Sequence, residues 1–129
     1  MNWTEAQARK VMEGRGVIIP KPKPIISGIR MNKTELKYAN DVLNPYLWAK
    51  KILSWQFEGM GFRMADRTFY YPDFLVVFPD RFEIHEVKGR PPTDDSLVKF
   101  KTCRELFPWF VWRMKQLKKG EWVLIQGDS

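Results

Sequence analysis

Two runs of aromatic and β-branched residues, set on either side of Pro79-Asp80, constrain this chain more than any other feature. Tyr71 to Phe78 (YPDFLVVF) and Phe82 to Lys88 (FEIHEVK) have the length and composition of strands, and Pro79-Asp80 is a turn signal. Together they predict a β-hairpin in the middle of the chain. Gly89-Arg90-Pro91-Pro92 ends its second strand in a loop. Side chains alternate between the two faces of a strand, so Glu86 and Lys88 project on the same face, about 7 Å apart. His85 points away from them, toward a packing or surface role. Asp73, near the start of the first strand, then comes opposite the end that holds Glu86 and Lys88.

Elements on both sides of the hairpin are legible from caps and periodicity. Asn32-Lys33-Thr34-Glu35 reads as a helix start, with Asn32 as N-cap and Glu35 at the third position of a capping box. Leu36, Ala39, Val42 and Leu43 give that helix an apolar stripe. Asn44-Pro45 is expected to interrupt it at Leu43 and to cap a short second helix through Lys51. Ile52 to Glu58 reads as a strand, Gly59 and Gly61 mark a turn or bulge, and Phe62 to Ala65 is expected to continue the pairing. Thr93 is an N-cap residue by type, followed by Asp94 and Asp95 at the positive end of a helix. Leu97, Phe100, Cys103 or Arg104, and Phe107 keep helical spacing until Pro108. Trp109 to Met114 reads as a further strand and Trp122 to Ile125 as an edge strand. The order helix, three strands, helix, strand (αβββαβ) predicts an α/β domain, a mixed sheet flanked by helices.

The front end differs in character. Trp3 to Glu13 is a weak helix candidate broken by Gly14 and Gly16, and Pro20-Lys21-Pro22-Lys23-Pro24 can form neither a helix nor a central strand. An extended basic arm over residues 1–30 and a folded domain over 31–129 are the expected organisation. Residues 1–51 hold ten Lys and Arg against four Asp and Glu, while the remainder holds twelve against eleven. With a formal net charge of +7, this distribution favours a polyanionic partner, foremost nucleic acid. Lys21 and Lys23 on the proline-rich segment can reach phosphates, or that segment is a plain linker. No run of about 18 apolar residues marks a membrane span. Met1 to Met12 carries Glu5, Arg9 and Lys10 without an apolar core, against a secretory signal. The single cysteine, Cys103, can form neither an internal disulfide nor a cysteine-based zinc site. A cytoplasmic location is expected.

The residues at the end of the hairpin suit one kind of chemistry. Carboxylates such as Asp73 and Glu86 are hard oxygen ligands that hold Mg²⁺ while leaving it its waters, and the Val87 carbonyl can add an oxygen. A bound metal polarises a phosphate and acidifies water. Lys88 beside it can orient that water and offset charge in the transition state. Phosphodiester hydrolysis needs this set.

Pro72-Asp73 followed by Glu86-Val87-Lys88 resembles the signature of the PD-(D/E)xK nuclease superfamily, and Glu35 matches the further acidic residue that many members carry on the first core helix. The resemblance covers about residues 32–114. The strings Asn32-Lys33-Thr34-Glu35, Tyr71-Pro72-Asp73-Phe74 and His85-Glu86-Val87-Lys88-Gly89 resemble a phage-associated branch, whose minimal fold is shared by archaeal Holliday-junction resolvases. The resemblance implies a restriction-endonuclease-like core, Mg²⁺ or Mn²⁺ as cofactor, and DNA cleavage leaving a 5′-phosphate. It implies Glu35, Asp73, Glu86 and Lys88 as catalytic residues and Asp73, Glu86 and Val87 as metal ligands. A capping box explains Glu35 equally well. Arg90 beside the site, and Lys99 and Lys101 on the following helix, are candidate DNA contacts with Lys21 and Lys23. A solvated helix face is the alternative for Lys99 and Lys101. Branched DNA is the first expected substrate, since the chain has no spare domain for reading sequence. A homodimer is expected because paired cuts need two sites, acting in the host cytoplasm if the chain is phage-encoded. The alternatives are a nicking or repair-type endonuclease, an enzyme acting on RNA, and a catalytically silent DNA-binding module.

Overall fold

The computed structural model describes residues 5–18 and 31–128. Its first elements are helix α1 (Glu5–Gly14) and the short strand β1 (Val17–Ile18). The expected boundary at residue 30 is not where the core begins. Val17 is 1% exposed and pairs antiparallel with Phe62, so the residues before the proline-rich segment are part of the packed fold. Apolar burial has overridden a local sequence rich in glycine. Lys21 and Lys23 lie outside the described residues.

Helix α2 (Lys33–Tyr38) starts at Asn32 with both halves of the capping box formed. A short second helix begins at Asn44-Pro45 as expected, but it ends at Trp48 and no break separates it from the first. The chain passes through a π-helical turn (Ala39–Leu43) directly into α3 (Asn44–Trp48). The Asn44 N–H reaches back five residues to the Ala39 carbonyl. A wider turn suits Pro45, which has no N–H to donate and whose ring crowds the preceding turn.

Strands β2 (Ser54–Phe57), β5 (Phe74–Val77), β6 (Phe82–Lys88), β7 (Val111–Lys118) and β8 (Glu121–Gly127) form a five-stranded sheet in the order β2-β5-β6-β7-β8. Every pairing is antiparallel except β6–β7, which α4 (Asp94–Leu106) connects as a parallel pair. Thr93 caps α4 by accepting from the Ser96 N–H at 3.1 Å. The expected strand from Tyr71 begins only at Phe74, because Pro72 cannot donate to a ladder. Phe62 to Ala65 does not continue β2. As β3 (Gly61–Ala65) it pairs with β1 and with β4 (Thr68–Tyr70) in a separate three-stranded sheet. The break follows Glu58, whose left-handed φ of 50° ends β2.

The result is a mixed α/β fold with more strand than helix. Apart from the β3–β4 hairpin, the larger sheet and its helices run two joined helices, three strands, a helix and two strands, one strand more than the expected order. One core layer holds Ile84, Trp112 and Met114 against Phe100, Cys103 and Phe107 of α4 and Phe62 and Tyr70 of the small sheet. The other holds Phe74, Val76 and Val87 against Tyr38, Ala39 and Leu43. None of the described helices is long and apolar enough to cross a membrane.

Candidate active site

The antiparallel register of β5 and β6 sets Phe74 opposite His85. Asp73, one residue before Phe74, is thereby brought to Glu86. The two acids are interlocked through the backbone. Glu86 Oε1 accepts from the Asp73 N–H at 3.0 Å, and Asp73 Oδ2 accepts from the Val87 N–H at 2.9 Å. Lys88 lies on the same face of β6 as Glu86, with its Nζ 3.8 Å from Glu86 Oε2. Glu86 is buried and Lys88 about a quarter exposed, so the pair runs from the interior toward solvent.

Glu35 arrives from the helix layer. Its Oε1 accepts from the Asn32 N–H at 2.9 Å, so it does cap α2. The same carboxyl lies within the field of Glu58, Glu86 and Asp73. Burial, then the negative charges of Glu58 and Glu86, raise its pKa against the hydrogen bond from Asn32. Capping and membership of the acidic cluster therefore coexist in one side chain. Gly89 makes room for this approach: a β-carbon there would stand 2.8 Å from Thr34 Oγ1, at the start of α2.

Burial raises the pKa of Asp73, and the neighbouring Glu86 raises it further. Two acids held together away from water cannot both ionise without a cation between them. Among the described residues, no group of three or more His, Cys, Asp or Glu side chains is gathered tightly enough to hold a metal ion. A metal would rest on the two carboxylates Asp73 and Glu86 with a backbone oxygen, for which Val87 is the candidate, since its N–H donates to Asp73. Such an all-oxygen set with few protein ligands fits Mg²⁺ or Mn²⁺, which keep several waters.

The remaining candidates are less tied to this point. Arg90 is exposed in the loop after β6. Lys99 forms an i,i+4 ion pair with Asp95 at 3.1 Å, and Lys101 is exposed on the same helix. The sequence reading missed three residues that the fold brings near. Glu58, from the end of β2, adds an acid beside Glu35, and its N–H donates to the Asp73 carbonyl at 2.6 Å. Gln116 on β7 is in register with Lys88. Tyr70, at the end of β4, lies close to Glu86 and Asp73. Only Tyr70 had a local signal, its position three residues before Asp73.

A different polar group occupies the other face of β6. His85 Nε2 contacts Glu83 Oε1 at 2.8 Å, and His85 Nδ1 contacts the Tyr38 hydroxyl at 2.7 Å. Burial lowers the pKa of His85. A neutral ring that donates to Glu83 from Nε2 must accept from Tyr38 at Nδ1, which defines the tautomer.

The chain matches no protein-family model, no curated protein and no solved structure.

Proposed function

We propose that this protein is a metal-dependent DNA endonuclease with a restriction-endonuclease-like core. The observation that carries this reading is the interlocked Asp73–Glu86 pair with Lys88 beside it at one end of the sheet. Asp73 and Glu86, with the Val87 carbonyl, hold Mg²⁺ or Mn²⁺. The chemistry that the ion supplies when bound is polarisation of the scissile phosphate. Lys88 orients the attacking water and offsets charge that develops on the phosphate oxygens. Glu35 adds negative charge at the edge of the cluster while it anchors α2. Arg90, Lys99 and Lys101, with Lys21 and Lys23, contact DNA phosphates and so position the duplex without reading its bases. The net charge of +7 supports such a partner.

Branched DNA is the substrate we favour, resolved by a homodimer that presents two sites for two cuts, in the manner of a phage-associated junction resolvase. The test is cleavage of a panel of four-way, flap, single-stranded and linear DNA in Mg²⁺ and in Mn²⁺, beside an Asp73→Asn control. Preferential cutting of the four-way junction is expected. Equal cutting of linear duplex would replace the junction with a nicking or repair role. Binding without cutting in either metal would make the protein a silent DNA-binding module.

A further inference from the structure

Tyr70 closes β4, opposite Phe62, and its ring is part of the core between the small sheet and α4. The residue is 7% exposed, yet among the described residues its hydroxyl makes no hydrogen bond of ordinary length and angle. A buried unpaired hydroxyl is costly, and a phenylalanine would fill the same space without that cost. Glu86 is the acid that acts on this hydroxyl most strongly, as a charge and as a hydrogen-bond acceptor within its reach, followed by Asp73.

Glu86 has an unmet need of the opposite kind. Its Oε1 accepts from the Asp73 N–H, whereas Oε2 faces Lys88 Nζ at 3.8 Å, beyond hydrogen-bond reach. An unpaired donor therefore stands beside an under-paired acceptor, on the face of β6 where the proposed chemistry lies.

We propose that Tyr70 is a positioning residue whose hydroxyl donates to Glu86 and holds that carboxylate in place when a divalent cation binds, an inference that rests on the metal-dependent reading above. Partners of this kind orient a ligand without touching the metal, and their loss weakens metal binding. Tyr70 touches neither cation nor DNA and acts through Glu86 alone.

Tyr70→Phe tests it with two readouts that do not depend on turnover. In metal-free protein the thermal midpoint should hold or rise, because an unpaired hydroxyl has been removed. Mn²⁺ affinity by calorimetry should fall about tenfold or more. Single-turnover cleavage at limiting Mn²⁺ should fall with it and recover as Mn²⁺ is raised. Unchanged Mn²⁺ affinity in the variant, with normal binding by the wild type, would overturn the role of Tyr70 and leave the nuclease reading standing. A lower metal-free midpoint, or failure to fold, would also overturn it, by showing that the hydroxyl is paired in the resting fold. A wild type that binds no Mn²⁺ would sink the metal-dependent reading itself, and this inference with it.

Discussion

Asp73 donates its backbone N–H to the carboxylate of Glu86, so the acid at the start of β5 is held by the acid at the end of β6. Neither can shift without the other. Asp73→Asn keeps an oxygen for the Val87 N–H but removes the acid that would ionise beside Glu86 when a cation binds. The metal-free midpoint should not fall, while Mn²⁺ affinity and cleavage are lost. Unaltered Mn²⁺ affinity by calorimetry would remove Asp73 from the metal site.

Lys88 has its proposed effect in the transition state. Lys88→Ala should lower the single-turnover rate by about 10² or more and change DNA affinity far less. Near-normal turnover would leave Lys88 as the ion-pair partner of Glu86 and no more.

For Glu35, charge and cap can be separated. Glu35→Gln retains an oxygen for the Asn32 N–H and removes the charge. Activity should drop while the melting temperature changes little. Full activity in this variant would assign Glu35 to capping alone.

Glu83 governs acid stability on the other face of β6. Burial by itself would raise its pKa, but the hydrogen bonds from His85 and Arg81 prevail and hold it below the usual carboxylate range. A carboxyl depressed in the folded state contributes stability above its unfolded pKa, near 4.3, and that contribution is lost as pH falls through the folded value. Glu83→Gln removes the buried charge that accepts from Arg81 and His85 and should cost about 1.5–3 kcal/mol at neutral pH. Melting both proteins from pH 7 to pH 3 should show the gap closing as the wild type is protonated. A gap independent of pH would mean that packing, not charge, explains the loss.

The front end calls for two separate experiments, because Val17 is in the core. Removing residues 1–18 should lower the melting temperature by uncovering Phe62. Lys21→Ala with Lys23→Ala should instead spare the fold and flatten the salt dependence of duplex binding by about 0.9 per lost phosphate contact. Parallel slopes for variant and wild type would exclude these lysines from the DNA backbone.

What the sequence by itself determined was local. The Asn32 and Thr93 caps, the Phe82–Lys88 strand and the shared face of Glu86 and Lys88 all follow from contacts within a few residues, where a period of two or a cap needs no partner. The hairpin about Pro79-Asp80 also carries Asp73 to Glu86, because a short turn leaves few registers. Tertiary structure decided the rest. Pro45 sits inside a helix because a π turn admits it, and Phe62 joins a second sheet because Val17 and Tyr70 bury it from either side. Glu58, Tyr70 and Gln116 reach the site only through that folding. Which strands pair, and which layer closes over them, depends on burying apolar surface across the whole chain, and no window of the sequence holds that information.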